Sequence, residues 1–334
     1  MRPRVLVSAG KELFESFFPP DHQARLTRLF NWKRDSARTI TAAFNKKLSA
    51  ADALITTWDS PHLHEVLIQN APTLRMIAHC GGEVKSRFAA RLFDKLTITN
   101  AAEPMSRPTA ELGAAFLLYC ARDIDRYRAE LRRTSDRIYA DAHIHGTAEY
   151  LVGREVAMIG FGRIGRALVD LLRGFDLRWT VYDPLVPRSS AESYPVTLSE
   201  LKPLLRHAEF LVLTAALTER TRGLLNRKTL ALLPDGATII NIARGGLIDL
   251  PALTNEVRRK RLHCALDVTD PDESLPVNHP LRRLPGVIVT PHIAGSGRHV
   301  RRAIAQTVID DLEKFFRGKP VQNRVTKTML ERMT

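Results

Sequence analysis

One stretch limits the possible folds more than any other. Val156-Ala157-Met158-Ile159 is a short apolar run that leads directly into Gly160-Phe161-Gly162-Arg163-Ile164-Gly165, and from Arg163 to Arg173 the apolar residues recur at helical spacing. A strand, a Gly-x-Gly-x-x-Gly turn and a helix in this order open a dinucleotide-binding α/β sheet. The three glycines meet three different physical demands. Gly160 permits the tight turn, Gly162 lets backbone approach a pyrophosphate, and Gly165 lets helix and strand pack closely. The helix N-terminus, with Arg163 and Ile164 in its first turn, then turns its unpaired N–H groups toward the anion.

The next apolar run, Trp179 to Tyr182, ends in Asp183-Pro184. Asp183 follows Gly165 by about 18 residues, close to the spacing of roughly 20 for the acid that binds the adenosine ribose. A carboxylate there accepts from both ribose hydroxyls and repels a 2′-phosphate, so NAD is the expected cofactor. Further strand-like runs recur at Phe210 to Thr214, Thr238 to Ile242, Cys264 to Val268 and Val287 to Thr290. Helix-like segments separate most of them, which predicts one doubly wound parallel sheet of six strands.

The first hundred residues repeat the pattern, with runs at Arg4 to Ser8, Ala53 to Trp58, Leu74 to Cys80 and Leu96 to Asn100, and an amphipathic stretch at His62 to Gln69. Strands alternating with helices predict a second parallel α/β domain. Pro108 to Arg137 is rich in Ala, Leu, Arg and Glu and predicts a long helix or helix pair at the border. Val300 to Phe316 predicts a final amphipathic helix stopped at Gly318.

Three segments carry candidate chemistry: Asn241-Ile242-Ala243-Arg244-Gly245-Gly246, Leu266-Asp267-Val268-Thr269-Asp270-Pro271 and Thr290-Pro291-His292-Ile293-Ala294-Gly295. Each follows a predicted strand, so all three are expected at the carboxyl edge of one sheet, where this fold binds ligands. An arginine, a carboxylate and a histidine gathered there make an acid–base site with an anion clamp.

With its three blocks in order behind the glycine turn, the chain resembles the D-isomer-specific 2-hydroxyacid dehydrogenase family. The resemblance runs from about Ala53 to Arg324 and implies hydride transfer between NAD(H) and a 2-oxo or 2-hydroxy acid. It implies a flavodoxin-like substrate domain split between residues 1–106 and 298–334, around an NAD-binding Rossmann domain of residues 107–297, and a homodimer built largely through the NAD domains. By the same resemblance Arg244 would grip the substrate carboxylate, His292 would act as acid and base, and Asp270 would orient the histidine. Asp267 and the backbone of Ala243 would lie near the nicotinamide carboxamide. Asp270 stands where the family usually has glutamate, so Asp272 and Glu273 remain alternatives. The substrate loop would be Gly81-Gly82-Glu83, whose N–H groups can cradle a carboxylate beside Arg244. Trp58 and His79 read as packing residues, and His143 and His145 as a surface or interface loop with no metal-site spacing.

Composition bounds the alternatives. With 334 residues, 44% hydrophobic and 26% charged, the chain has room for two globular domains of ordinary size. Its longest apolar run, Leu112 to Ala121, is about half of the roughly 20 residues that a membrane-spanning helix needs. Cys80, Cys120 and Cys264 lie in apolar stretches without Cys-x-x-Cys spacing; with no secretory signal at the N-terminus, they predict buried thiols in a reducing cytoplasm. The net charge of +14 raises nucleic acid as a partner. The basic clusters, at Arg122 to Arg137, at Arg258 to Arg261 and beyond Arg298, have no zinc-finger spacing or helix-turn-helix pattern. Nucleic acid is therefore not expected, and an NADH-sensing regulator resembling the C-terminal binding protein corepressors is the second reading.

Overall fold

The structure is a computed structural model that describes residues 2–132, 142–144, 146, 150–271, 273 and 275–333. His145, Asp272 and the arginine-rich run beyond Arg132 lie outside the described residues. The chain divides into two compact units, Met1–Met105 with Ser296–Thr334, and Ser106–Gly295.

In the first unit, strands β1 (Arg4–Ser8), β2 (Asn31–Asp35), β3 (Ala53–Thr56), β4 (Met76–His79) and β5 (Thr97–Asn100) pair in parallel in the order β2-β1-β3-β4-β5. This is the flavodoxin-like order. A two-residue strand from the chain's end, Arg324–Val325, adds antiparallel to β5. Alternate residues of the strands feed opposite faces. Val5, Val7, Ile55 and Met76 pack on one side with the helix Arg298–Phe316, whereas Leu6, Leu54, Ile77 and Ile98 pack on the other. The helix contributes Val300, Ile304, Val308 and Leu312, one residue per turn.

The second unit has seven parallel strands: β6 (Glu155–Ile159), β7 (Arg178–Tyr182), β8 (Val196–Leu198), β9 (Phe210–Leu213), β10 (Thr238–Asn241), β11 (His263–Leu266) and β12 (Val287–Val289). Their order, β8-β7-β6-β9-β10-β11-β12, reverses between β6 and β9, which makes the carboxyl end of β6 the switch point where ligands bind. Both faces are covered: Ile159, Leu213, Ile239 and Leu266 lie in one apolar cluster, and Met158, Val212, Ile240 and Ala265 in the other. This is why the central strands read as unbroken apolar runs.

Three expectations are corrected. The second sheet gains β8, a short, half-exposed edge strand that lacks an apolar signature. In the first unit β2, Asn31-Trp32-Lys33-Arg34-Asp35, passes unread because its charges suit an edge. The stretch His62 to Gln69 is helical only over Leu67–Asn70, since Leu63 bridges to Phe88 instead. At the border, of the long helix or helix pair expected, the structure has the pair, Glu103–Ala121 and Ile124–Leu131, broken at Asp123 with φ of 48°.

Candidate active site

The glycine turn is built as its spacing requires. Gly160 has φ of 92°, and a side-chain carbon on it would lie 2.5 Å from the Ala215 backbone. Thr214 Oγ1 donates to the Gly160 carbonyl at 2.6 Å and locks the turn. On Gly165 such a carbon would meet Met158 Sδ at 2.8 Å, whereas beside Gly162 there is open space to 4 Å. Gly162 caps the helix Arg163–Leu171, with Ile164 half-buried and Arg163 exposed in its first turn. That open face, with the helix N-terminus behind it, fits a dinucleotide pyrophosphate. Asp183, at the end of β7, accepts from Phe161 N at 2.8 Å and Leu185 N at 2.9 Å, one bond on each oxygen. A carboxylate has about four acceptor sites, so capacity for ribose hydroxyls remains.

Arg244, Asp267, Asp270 and His292 follow the adjacent strands β10, β11 and β12. At about 4.8 Å between neighbouring strands, the ends of β10 and β12 stand about 10 Å apart. Arg244 Nη1 donates to the Ala243 carbonyl at 2.8 Å. The turn that carries it is fixed by Asn241, fully buried, whose amide donates to Arg244 O at 2.9 Å and accepts from Ala243 N at 3.0 Å. The motif alone assigns Asn241 no role; an amide that ends a buried apolar strand is the signal that marks it. Gly245 lets the next loop press close: a side-chain carbon there would come within 2.1 Å of the Thr269 carbonyl carbon.

His292 pairs with Glu273. Its Nδ1 lies 2.6 Å from Glu273 Oε2, while Asp270, the favoured partner from sequence, stands 4.0 Å from Arg222 Nη1 instead. The reason is loop geometry: the backbone of Thr269 and Asp270 is held against Gly245, which leaves the Asp270 carboxylate by Arg222, and Glu273 meets the imidazole three residues further along.

The backbone at His292 is left-handed, with φ of 54°, a costly conformation for a residue with a side chain. Asp267 holds it there. Its carbonyl accepts from His292 N at 2.9 Å. Its carboxylate accepts from Thr290 Oγ1 at 2.6 Å, Ile293 N at 2.9 Å and Ala294 N at 2.9 Å. Asp267 is fully buried, so in this structure its side chain serves the histidine turn, a role that its sequence position does not announce.

In the first unit, Gly81 O accepts from Ala101 N and Gly82 O from Asn100 Nδ2, both at 2.8 Å. Across trans peptides, the N–H groups of Gly82 and Glu83 therefore point the opposite way. The Glu83 carboxylate faces its own loop, accepting from Ser86 N at 2.7 Å and Ser86 Oγ at 2.8 Å. Its place in the expected substrate loop is thus a matter of backbone, with the side chain acting as a staple.

A family model described as "D-isomer specific 2-hydroxyacid dehydrogenase, NAD binding domain" matches residues 114–294. A D-3-phosphoglycerate dehydrogenase of Methanocaldococcus jannaschii is 32% identical over 284 residues, 84% of this chain; the chain spans about half of that relative, 52% of its length. A glyoxylate reductase of Pyrococcus horikoshii is 30% identical over 292 residues, 86% of each chain. Among solved structures, a 2-hydroxyacid dehydrogenase of Ketogulonicigenium vulgare Y25 is 27% identical with a TM-score of 0.78, covering 98% of this chain and 99% of its own. The glycine turn, the arginine after β10 and the paired histidine after β12 thus stand in a chain that belongs to the D-isomer specific 2-hydroxyacid dehydrogenase family, oxidoreductases that pass a hydride between a nicotinamide cofactor and a 2-hydroxy acid.

Proposed function

We propose that this protein reduces a short 2-oxo acid to the D-2-hydroxy acid, with Arg244 as carboxylate clamp and His292 paired to Glu273 as acid and base. The observation that carries the reading is the 2.6 Å contact between His292 Nδ1 and Glu273. A carboxylate on Nδ1 orients the ring, fixes its tautomer and leaves Nε2 to exchange the proton. NADH, when bound against Gly160, Gly162, Gly165 and Asp183, supplies the hydride to the carbonyl carbon. His292 Nε2 delivers the proton to the carbonyl oxygen, and in the reverse direction takes it from the hydroxyl. The planar fork of Arg244 suits a two-point grip on the carboxylate, which no single cation would orient.

The second unit leaves apolar side chains in water along the helix pair, with Leu118 36%, Ile124 42% and Leu131 65% exposed; these support a homodimer formed through that unit. Cys80, Cys120 and Cys264 are all unpaired thiols, which supports a reducing, cytoplasmic setting. Among the described residues no helix is long and apolar enough to cross a membrane. The test is to mix purified protein with NADH and, in turn, glyoxylate, pyruvate and hydroxypyruvate. Loss of NADH absorbance with at least one acid is expected, and a flat trace with all of them, despite tight NADH binding, refutes the reading.

A further inference from the structure

Asp183, the acid placed for the adenosine ribose, takes its two hydrogen bonds from different segments: Phe161 N belongs to the glycine turn and Leu185 N to the stretch that follows β7. The carboxylate keeps its aim only while those two segments keep their spacing. Three side chains tie them together. Phe161, 1% exposed, meets Tyr194 edge-on, with ring centroids 5.3 Å apart and planes at 89°. The guanidinium carbon of Arg166 lies 5.6 Å from the Phe161 ring centroid and 5.9 Å from that of Tyr194.

Each member comes from a different element. Phe161 stands between Gly160 and Gly162 in the turn itself. Arg166 lies one turn into the helix Arg163–Leu171, where its N–H donates to Gly162 O at 3.1 Å. Tyr194 follows the short helix Arg188–Glu192 and leads into β8, with its N–H on Ala191 O at 2.9 Å. Val186 and Tyr194 pack on the same apolar cluster as Phe161, so the stretch from Leu185 to Tyr194 is pinned near both ends. Arg166 Nε is buried and has no hydrogen-bond partner among the described residues. The rings hold the guanidinium instead, within the roughly 6 Å over which a ring quadrupole attracts a cation.

We infer that Arg166 is a positioning residue for the cofactor: by drawing Phe161 and Tyr194 together it holds both donors of Asp183, and so sets how sharply the site separates NAD from NADP. The inference rests on NAD as the cofactor and is independent of which acid is reduced. Asp183 acts on the two nucleotides in opposite senses, accepting from the ribose hydroxyls of NADH and repelling the 2′-phosphate of NADPH. Both effects depend on where its oxygens stand, because a hydrogen bond weakens steeply off its preferred angle and a charge that swings into water is screened. A loosened Asp183 therefore loses NADH and tolerates NADPH better, whereas a general loosening of the fold weakens the two alike.

Fluorescence titrations with NADH and with NADPH read the two affinities directly, without turnover. Arg166→Met keeps an unbranched helix-forming side chain and removes the cation; it should weaken NADH about 5-fold and leave NADPH within about 2-fold, so that the preference for NADH shrinks. Tyr194→Leu should act in the same direction, while Tyr194→Phe, which keeps the ring, should stay within about 2-fold of the unsubstituted protein. Thermal midpoints are recorded alongside, and if Arg166→Met fails to fold, Tyr194→Leu decides. NADH and NADPH weakened equally, a preference unchanged in these variants, or a loss in Tyr194→Phe equal to that in Tyr194→Leu overturns the inference while leaving the cofactor standing. An unsubstituted protein that fails to bind NADH, or that favours NADPH, overturns the cofactor and the inference together.

Discussion

The carboxyl edges of the two sheets make an instructive pair. Both are parallel, both are covered on two faces, and both place their polar loops at the same ends of the strands. At the edge of the second sheet the loops are pinned from inside by buried polar groups: Asn241 under Arg244, Asp267 under His292 and Thr214 under Gly160. At the edge of the first sheet the loop is stapled largely from outside, by half-buried Glu83 and Arg87 and exposed Ser86. Buried polar groups with all their bonds made fix geometry tightly, because breaking one leaves an unpaired group in a dry interior. Bond-making chemistry needs that precision. A loop held from the exposed side tolerates more movement, so the two edges differ along physical lines.

The largest expected effect tests whether the second edge holds the reaction at all. Arg244→Ala and His292→Ala should each lower kcat/KM by about 1,000-fold or more, with NADH affinity, read by fluorescence titration, changed less than about 3-fold. Substantial activity in His292→Ala would break the assignment. Next, Asp267→Ala should destabilise the protein by about 3 kcal/mol in denaturant unfolding, because it strands buried N–H groups and the left-handed turn at His292. Glu83→Ala at the first edge should cost less than about 1 kcal/mol, and equal losses would erase the contrast.

The carboxylates near His292 give the third comparison. Glu273→Gln is expected to reduce kcat about 100-fold and Asp270→Asn less than about 3-fold; the reverse order would restore Asp270 as the partner. The smallest effect concerns pH. His79, buried and with Arg87 nearby, stays neutral in the folded protein down to about pH 3, whereas the unfolded chain protonates it near pH 6.5. Acidification below about pH 6.5 therefore favours unfolding, by at most about 1.4 kcal/mol per pH unit from this one residue. His79→Gln should flatten the fall of the thermal midpoint between pH 6 and pH 4, and an unchanged slope would show that His79 is not its source.

Much of this is legible in the sequence, and the exceptions share a cause. Gly160, Gly162 and Gly165 can be read because turn, approach and packing are demands on single residues at fixed spacing. The central strands of the second sheet can be read because burial on both faces leaves uninterrupted apolar runs. Strand β2 cannot, since a charged edge strand has the composition of a loop. Motif position favours Asp270 over Glu273 because it says nothing of the path a loop takes after Gly245 presses against Thr269. Motif position likewise points Asp267 outward to the cofactor, while the fold turns its carboxylate inward onto Thr290, Ile293 and Ala294.

From the sequence alone came two parallel α/β sheets, a glycine turn for a dinucleotide, an acid for its ribose, and an arginine and a histidine on neighbouring strand ends. These follow from periodicity, backbone freedom and strand order, all of which act over a few residues. Only the tertiary structure decided that Glu273 meets His292, that Asp267 and Asn241 serve the turns beneath the site, and that Arg166, Phe161 and Tyr194 meet. Such partnerships join segments far apart in the chain, and they are settled by where the packed core lets each loop run.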